Sequence, residues 1–363
     1  MANIILAAGG TGGHIFPALA VGEVFAKAGH HVTLFTDKRG APMVEGKISY
    51  KVIQAASPFK KGPFAKALGL ASLSLGILQS LFSLAVSRPH TVIGFGGYPS
   101  FPPLLASHLL HVPVILHEQN AVMGRANQWL AKFAHIVALS FEKTKGASHS
   151  DKTVTTGMPV RNAFYQASEY KARASCHLTI IGGSLGAQIF ADLLPEALAL
   201  LPDEARQIIR ITHQARDEHI STLKQRYQEM EIRADVARFY HDMARLYEES
   251  DIIISRAGAS SVAEISASGR ASILIPFAGA LDDHQTGNAL RLVEAKGAFM
   301  LSEQEADAAS LARYLTMLID DETTRVDMAH HAKSLAHRSA AAAIAELTDI
   351  ALHEPQSHMG EQS

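Results

Sequence analysis

The stretch AAGGTGGHIFPALA, residues 7–20, sets four glycines and one histidine between an apolar run and a helical pattern. Glycines let the backbone approach a ligand closely, and the N–H groups that open a helix favour an anion. His14 follows the glycines and has a side chain suited to proton transfer near neutral pH. These residues therefore predict an anion site beside an acid–base group. The alternative is a tight turn that needs glycine for its geometry alone, followed by a solvated or capping imidazole.

A second glycine-rich loop, GGSLG at residues 182–186, also separates an apolar run from a helical pattern. Neither loop fits the G-x-G-x-x-G fingerprint of dinucleotide folds, since in the first loop Ile15 stands where a third glycine would follow Gly10 and Gly12. Asp37, at the end of the second apolar run, keeps a nicotinamide-type site open as an alternative. Two glycine loops at equivalent places favour phosphate binding over a role in the turns alone.

Polar side chains follow three other apolar runs. In SRAGASSVAEISASG, residues 255–269, Glu264 stands near a helix start, where it suits either a ribose diol or a capping box with Ser261. Gln285 lies in the polar segment after ASILIPF, and its amide suits the hydroxyls of a sugar. The tetrad HEQN, residues 117–120, takes the matching position in the first half. Together these groups predict the two walls of one ligand cleft.

The elements that must position these groups are predicted by short apolar runs that alternate with longer helical stretches. This alternation indicates parallel sheets covered by helices. The expected strands are NIILAA, HVTLFT, HTVIGFG, VPVILHE and HIVALS, then LTIIGG, QIIRIT, ARFY, DIIIS and ASILIPF. Because both halves open with strand, glycine turn and helix, the expected fold class is α/β, with two Rossmann-like domains whose parallel sheets face each other across a cleft. The break in TTGMPVRNAF, residues 155–164, places the junction.

Composition narrows the class of protein. The 363 residues include 33 basic and 35 acidic side chains, and the formal charge of −2 supplies no global field for nucleic acid, so we expect no nucleic-acid partner. Cys176 is the single cysteine, which excludes an internal disulfide and a cysteine-rich zinc site. The histidines show no metal-binding spacing, so we assign no metal and no cofactor. The opening MANIILAAGG does not fit a secretory signal, and the cytoplasm is the expected compartment.

Taken together, eight motifs resemble in order and spacing the MurG family, the bacterial UDP-N-acetylglucosamine transferases of peptidoglycan synthesis. They are GGTGGH (9–14), FGGYPS (95–100), HEQN (117–120), PVR (159–161), GGSLGA (182–187), DMA (242–244), SRAGASSVAE (255–264) and HQTGNA (284–289). The resemblance implies a GT-B fold and inverting transfer of GlcNAc from UDP-GlcNAc to the 4-hydroxyl of MurNAc in lipid I, which gives lipid II. The partners that it implies are UDP-GlcNAc, lipid I (undecaprenyl-pyrophosphoryl-MurNAc-pentapeptide) and an anionic membrane surface, at the cytoplasmic face of the inner membrane.

The resemblance also implies roles for residues of this sequence. In the first domain the implied substrate-binding residues are Thr11, Gly12, Gly13, Asn120 and Arg161. In the second domain they are Ser184, Tyr240, Ala259, Ser260, Ser261, Val262, Ala263, Glu264 and Gln285. Ser184 matches the diphosphate cradle, Tyr240 the contact with the uracil edge, and Glu264 the contact with the ribose. Gln285 matches the contact with the GlcNAc hydroxyls.

The expected reaction is a single in-line displacement through an oxocarbenium-like transition state, with UDP as the leaving group. His14 is the first candidate for the general base and Glu118 is the second. Backbone N–H groups and helix N-termini near Ser184 would stabilise the charge that builds on the diphosphate. Three alternatives stay open: another GT-B UDP-sugar transferase, a nucleotide-sugar-binding protein without transfer activity, and a dehydrogenase.

The expected domain boundaries follow from the junction. Residues 1–160 form the domain that faces the acceptor and the membrane, and residues 161–336 form the UDP-GlcNAc-binding domain. A helix at about residues 337–353 packs back on the first domain, and residues 354–363 form a disordered tail.

The stretch from Ala67 to Ser87 contains no charged residue and is long enough to suggest a membrane span. Small residues recur every three or four positions on one helical face, beside a face of leucine and isoleucine. We expect a mostly buried helix of the first domain. The alternative is an exposed apolar surface, flanked by Lys60, Lys61, Lys66 and Arg88, that rests on an anionic membrane.

Overall fold

The computed structural model describes residues 1–56, 62–148, 150–171, 173, 175–183 and 187–353. Packing divides the chain into two units, which are residues 1–161 with the segment from Ser339 onward, and residues 162–338. Each unit contains a parallel sheet with apolar cores against it. The expected disordered tail, residues 354–363, lies outside the described residues.

The first unit is built on a parallel sheet. Its strands are β1 (Asn3–Ala7), β2 (His31–Thr36), β3 (Ser49–Val52), β4 (Thr91–Gly94), β5 (Val114–Glu118), β6 (Ile136–Leu139) and β7 (Thr153–Thr155). Among these described strands the order is β3-β2-β1-β4-β5-β6-β7 and each neighbouring pair is parallel. The strand order reverses between β1 and β4, and ligands of such sheets bind beyond the carboxyl ends of the strands at such a reversal.

The second unit repeats this plan. Its strands are β8 (Cys176–Ile181), β9 (Ile209–Gln214), β10 (Arg233–Ala237), β11 (Ile252–Ser255), β12 (Ala271–Leu274) and β13 (Phe299–Met300). In the described part of this unit the order is β10-β9-β8-β11-β12-β13, again with parallel pairs. The reversal lies between β8 and β11, which places the loops after these two strands next to each other.

Helices connect the strands in both units. In the first unit they are α1 (Gly12–Lys27), α2 (Ala41–Val44), α3 (Pro63–Ser87), α4 (Phe101–Leu109) and α5 (Arg125–Leu130). In the second unit they are α6 (Asn162–Tyr165), α7 (Gln188–Ala199), α8 (Asp203–Ile208), α9 (Asp217–Glu229), α10 (Met243–Glu249), α11 (Ala259–Ser268), α12 (His284–Glu294), α13 (Ala308–Asp320) and α14 (Glu322–Ser334). The last helix, α15 (Ala340–His353), belongs to the first unit.

The predicted α/β fold class, with two Rossmann-like domains, is confirmed by these two parallel sheets. One predicted strand is wrong in position, since ARFY (237–240) overlaps β10 only at Ala237. β10 lies at the edge of its sheet and is mostly not buried, so it has no apolar run that could mark it. The edge strands β3, β7 and β13 were not predicted either, because they are short and largely exposed or half-buried.

Helix α15 closes the apolar core of the first unit. Ile344, Leu347 and Ala351 are buried in one cluster with Ile15 and Ala18 of α1. Because these side chains come from opposite ends of the chain, the C-terminal helix and the helix that carries His14 stabilise each other by burying apolar surface.

Helix α3 is not the mostly buried helix that we expected, because Gly76, Ser80 and Ser83 are buried against the unit while several of its large apolar residues face outward. A β carbon on Gly76 would lie 1.9 Å from the carbonyl oxygen of Gln54, so only glycine fits there. Lys51 Nζ donates to Ser83 Oγ at 2.6 Å on the same side of the helix. Its exposed large apolar side chains are Leu68, Leu70, Leu75, Leu78, Phe82 and Val86.

The same helix contains the one candidate membrane span among the described residues. The segment Lys66–Ser87 is long and apolar enough to cross a bilayer, and 33% of its apolar window is buried inside the unit. At Gly76 this helix packs closely against the backbone of Gln54, in the loop that follows β3. The structure therefore shows it as a surface helix of the first unit.

Candidate functional site

The first glycine loop lies at the carboxyl end of β1 and is shaped by close packing. Gly10 has a φ of 85°, a left-handed conformation that favours glycine. A β carbon on Gly9 would lie 2.6 Å from two side-chain atoms of Pro99, so the loop after β1 and the loop after β4 touch at a position without a side chain. Thr11 is the extended N-cap of α1, which places Gly12, Gly13 and His14 in the first turn.

Asp37 holds this glycine loop. Its Oδ1 accepts hydrogen bonds from the backbone N–H groups of Gly10 and Gly40, both at 3.0 Å, and its Oδ2 accepts from Arg39 Nε at 2.8 Å. The carboxylate is buried and its two oxygens are occupied by the protein. The alternative role that Asp37 kept open, a contact with the ribose of a nicotinamide cofactor, is therefore wrong for this arrangement.

His14 is oriented by groups at the ends of β4 and β5. Its Nδ1 lies 2.9 Å from the carbonyl oxygen of Phe95 and 2.7 Å from Gln119 Oε1. Gln119 also donates from Nε2 to Phe95 O at 2.7 Å. The sequence tetrad contained Gln119, but hydrogen-bond geometry was needed to distinguish its role from those of its neighbours.

Glu118, the second candidate for the general base, holds a loop instead. Its Oε1 accepts from the backbone N–H groups of Gln119 and Asn120 at 2.9 Å and from Asn120 Nδ2 at 3.2 Å. Its Oε2 accepts from Gly124 N at 3.0 Å and from Asn127 Nδ2 at 2.8 Å. The residue is 2% exposed. A carboxylate that is buried and accepts five hydrogen bonds is poorly placed to take a proton from substrate, so we correct its role to positioning.

Two further residues complete the description of this edge. The guanidinium of Arg161 lies 4.4 Å from the centroid of the Phe16 ring, one helical turn from the glycine loop. His117 is fully buried, and this burial lowers its pKa to about 4, so the imidazole is neutral near pH 7. The structure thus places Thr11, Gly12, Gly13 and His14 after β1 and Asn120 after β5, at the carboxyl edge of the same sheet. Arg161 packs against Phe16 of α1.

In the second unit, the glycine loop follows β8. Gly183 has a φ of 82°, which again favours glycine. Ser184, the residue that we expected in the diphosphate cradle, lies outside the described residues together with Leu185 and Gly186. Helix α7 begins at Gln188 just beyond them.

The loop after β11 leads into α11, which carries Ala259, Ser260, Ser261, Val262, Ala263 and Glu264. The N-cap is Gly258, so Ser261 and Glu264 are inside the helix and the capping-box alternative is wrong. Ala259 and Val262 are buried, which leaves Ser260, Ser261, Ala263 and Glu264 half-buried at the helix start. This part of α11 can offer backbone and side-chain groups to a ligand.

Arg256, which sequence reasoning missed, ties three loops together. It donates to the carbonyl oxygens of Ile275 and Pro276 at 3.1 and 3.2 Å and to Glu303 Oε1 at 2.6 Å. Glu303 also accepts from Ala278 N at 2.6 Å. Burial alone would raise the pKa of Glu303, but the hydrogen bonds from Arg256 and Ala278 lower it below its ordinary value. The sequence signal that could have identified Arg256 was its position directly after a predicted strand, in SRAG (255–258).

Gln285 belongs to the same group of loops. Its Oε1 accepts a hydrogen bond from Phe277 N at 3.0 Å, which fixes the side chain against the loop after β12. Asn288, one turn later in α12, donates to Ala257 O at 3.1 Å. Asp282 and Asp283 both have positive φ values, 54° and 52°, so the backbone is strained directly before the helix that carries Gln285.

Tyr240 lies apart from this group, after the edge strand β10. Its hydroxyl donates to Asp235 O at 3.0 Å, and burial, aided by Asp235, raises the pKa of its phenol. The loop that precedes the 259–264 segment is therefore linked to the helix of Gln285 through Asn288 and to the loop after β12 through Arg256. Tyr240 stands further along the same carboxyl edge. In the part of the chain that the structure describes, no group of three or more His, Cys, Asp or Glu residues could hold a metal ion.

Comparison with known proteins places this geometry in a family. Residues 4–139 match the glycosyltransferase family 28 N-terminal domain, and residues 177–345 match the glycosyltransferase family 28 C-terminal domain. A Granulibacter bethesdensis protein named UDP-N-acetylglucosamine--N-acetylmuramyl-(pentapeptide) pyrophosphoryl-undecaprenol N-acetylglucosamine transferase is 38% identical over 99% of this chain and 96% of its own length. A protein of the same name from Rhodospirillum centenum is 40% identical over 88% of this chain and 87% of its own length. The crystal structure of Acinetobacter baumannii MurG matches with a TM-score of 0.77 and 29% identity, over 96% of this chain and 100% of that one.

Proposed function

Because the chain belongs to glycosyltransferase family 28 and to its MurG branch, we propose that it transfers GlcNAc from UDP-GlcNAc to the 4-hydroxyl of MurNAc in lipid I. The product is lipid II, and the configuration at the anomeric carbon is inverted. The observation that carries this proposal is the near full-length likeness to transferases of that name. The two glycine loops at equivalent sheet reversals, with His14 beside one of them, are consistent with it.

The first unit supplies the acid–base chemistry in this proposal. His14 takes the proton of the acceptor hydroxyl while that oxygen attacks the anomeric carbon and the bond to the diphosphate breaks. A positioned general base contributes about 10²- to 10⁴-fold to the rate. Asn120 contacts a sugar, and Thr11, Gly12 and Gly13 offer backbone groups near the reacting centre. Arg161, whose guanidinium lies over the Phe16 ring of α1, assists substrate binding.

The second unit binds the nucleotide sugar. Ser184 and its loop cradle the diphosphate, where negative charge builds as the leaving group departs. Each oriented backbone donor at such a site contributes on the order of 3 kcal/mol. Glu264 accepts hydrogen bonds from the ribose diol, Gln285 contacts the GlcNAc hydroxyls, and Tyr240 contacts the edge of the uracil. The segment 259–264 approaches the nucleoside with its backbone.

Helix α3 gives this enzyme a surface for the membrane that holds its lipid-linked acceptor. Its exposed apolar side chains include Leu78, Phe82 and Val86, which are 64%, 73% and 70% exposed. The exposed cations Lys66 and Arg88 flank them. An apolar face with flanking cations binds anionic lipid surfaces without crossing them. We place the protein at the cytoplasmic face of the inner membrane, in cell-wall synthesis, and therefore in cell shape and division.

The transfer proposal is tested with radiolabelled UDP-GlcNAc and a lipid I analogue, with other UDP-sugars as competitors. The expected result is a labelled disaccharide product, and competition only by UDP-GlcNAc. Isothermal titration with UDP and with NAD separates the alternatives, because a dehydrogenase would bind NAD. UDP binding without any product would favour a nucleotide-sugar-binding protein and overturn the transferase. Product with another UDP-sugar in place of UDP-GlcNAc would overturn the donor assignment.

The base is tested with His14→Ala. We expect turnover to fall by about 10²- to 10⁴-fold. His31→Ala is the matched control, since His31 is exposed at the start of β2 and should leave turnover unchanged. Turnover of His14→Ala within about threefold of wild type would remove His14 from the base role.

The membrane surface is tested by sedimentation with vesicles that contain anionic lipid. Leu75→Glu with Phe82→Glu removes two apolar anchors, each contributing about 1.5 kcal/mol, so membrane partitioning should fall by about 100-fold. The control is Leu200→Glu with Ile208→Glu, two exposed apolar residues of the second unit. Equal sedimentation of both double variants and wild type would remove α3 from membrane binding.

A further inference from the structure

Gln119 makes contacts that decide the chemistry of its neighbour His14. Its side chain is 3% exposed and lies between two partners, with Oε1 at 2.7 Å from His14 Nδ1 and Nε2 at 2.7 Å from Phe95 O. Its own backbone N–H donates to Glu118 Oε1 at 2.9 Å. The amide is thus held in place at both ends.

Phe95 determines which way the Gln119 amide points. A backbone carbonyl oxygen can only accept, so the side-chain atom that lies 2.7 Å from it must be the NH₂ group. The opposite placement would bring two oxygens to this distance with no hydrogen between them. The oxygen of the amide therefore faces His14, and this follows from the hydrogen-bond network without any observed hydrogen.

Both atoms that face His14 Nδ1 are then acceptors. They are Gln119 Oε1 at 2.7 Å and Phe95 O at 2.9 Å. An Nδ1 without a proton would place a third lone pair against these two, so the proton must sit on Nδ1 in the neutral ring. We infer that Gln119 is a positioning residue that fixes this tautomer, so that Nε2 of the neutral imidazole is the atom that accepts a proton.

This inference rests on the proposed function, in which His14 is the general base. When the acceptor hydroxyl loses its proton to Nε2, the ring becomes an imidazolium whose Nδ1–H still donates to Gln119 and Phe95. Hydrogen bonds from a charged donor are stronger than those from a neutral one. Gln119 therefore stabilises the protonated ring that forms in the transition state, without touching substrate.

The tautomer is read directly in the free, full-length protein. Histidine is labelled with ¹⁵N, and long-range ¹H–¹⁵N correlation at neutral pH shows which ring nitrogen carries the proton. The signals of His14 are those that disappear in His14→Ala. The expected result is a proton on Nδ1 in the wild type. A neutral His14 with its proton on Nε2 would overturn the inference.

Two variants and one control test the role of the amide. Gln119→Leu removes the acceptor, and we expect a mixture of tautomers and a kcat about 10- to 100-fold lower, with the KM for UDP-GlcNAc little changed. Gln119→Glu keeps an oxygen toward Nδ1 and, with a proton on its second oxygen, can still donate to Phe95 O, so it should keep the Nδ1 proton and more activity than the leucine variant. Gln128→Leu is the matched control, because Gln128 also donates to a backbone carbonyl, Met123 O at 2.9 Å, in the same segment.

Two further outcomes would overturn the inference. One is Gln119→Leu with a wild-type tautomer and a kcat within about threefold of wild type. The other is an equal loss of kcat in the Leu and Glu variants with the Nδ1 proton retained in both, which would make Gln119 a packing residue. Failure of the proposed function is distinguishable, since it would appear as absent transfer by the wild type whatever the tautomer.

Discussion

Replacing Glu118 with glutamine separates a positioning role from a catalytic one. The substitution keeps the size of the side chain but turns one carboxylate oxygen into an NH₂ group and removes the charge. In the wild type, Gly124 N and Asn127 Nδ2 donate to Oε2 at 3.0 and 2.8 Å. If the NH₂ group of the variant takes the position of Oε2, both of these donors face another donor. If it stands at Oε1, three donors of Gln119 and Asn120 lose their acceptor instead.

The cost follows from these contacts. A buried donor without a partner costs about 1–3 kcal/mol, so two such donors lower the free energy of unfolding by roughly 4 kcal/mol. For a domain of this size, about 2–4 °C of melting temperature is lost per kcal/mol, which gives a decrease of about 8–16 °C. We also expect kcat to fall, because the loop that carries Gln119 and Asn120 loses its anchor.

The chain offers a specific probe for this measurement. Its single tryptophan, Trp129, lies in α5 of the first unit, two residues from Asn127. Tryptophan fluorescence therefore follows unfolding of the unit that contains Glu118, even if the second unit unfolds separately. The control is Glu142→Gln, an exposed glutamate of the same unit that should leave the transition unchanged.

The kinetic result completes the test. Loss of stability together with loss of kcat, and an unchanged shape of the pH–rate profile, is the signature of a positioning residue. A stability within about 0.5 kcal/mol of wild type, combined with a 100-fold loss of kcat and loss of the acidic limb of the profile, would place Glu118 in proton transfer and refute the reasoning.

Three other predictions follow from neighbouring contacts. Asp37→Asn should lower the free energy of unfolding of the first unit by about 1–3 kcal/mol in a tryptophan-monitored denaturant titration, and an unchanged midpoint would contradict its role in holding the glycine loop. Arg256→Met should weaken UDP binding about tenfold by isothermal titration, because one ion pair and two carbonyl contacts are lost; unchanged affinity would argue against it. Burial lowers the pKa of His117 to about 4 from an ordinary 6.5, so the unfolded chain takes up the proton first, and stability present above pH 6.5 should fall by about 3 kcal/mol as the pH decreases to 4. The free energy of unfolding, plotted against pH across this range, should have a shallower slope in His117→Gln than in the wild type. Equal slopes would contradict the lowered pKa of His117.

The central strands of both sheets were predictable from the sequence because they are buried on both faces and therefore read as continuous apolar runs. β1, β5, β8 and β11 belong to this class. The edge strands lack that signal, since their exposed positions tolerate polar residues. β3 has no buried residue, and only Val236 is buried in β10. Their existence follows from pairing with a neighbour, which a local pattern does not contain.

The candidate site shows a similar division. The order of the motifs predicts that His14 and Gln285 lie at the carboxyl edges of the sheets, and the structure has them there. The roles within HEQN were not predictable, because they depend on the hydrogen bonds of each side chain. Glu118 accepts from the backbone N–H of Gly124, and Gln119 donates to the carbonyl oxygen of Phe95. The capping box was a false local pattern, since the helix begins two residues before Ser261, a register that the sequence alone did not fix.

Three carboxylates share one task in this protein, which is to hold loops at the carboxyl edges of the sheets. Asp37 accepts from the N–H of Gly10, Glu118 from the N–H of Gly124, and Glu303 from the N–H of Ala278. Each fixes a loop at the carboxyl edge of a sheet, where small residues alone would leave the backbone free. Loops ordered in advance spare the ligand the entropic cost of ordering them, and their donors are already oriented when charge develops. These three carboxylates therefore act through the backbone that they hold.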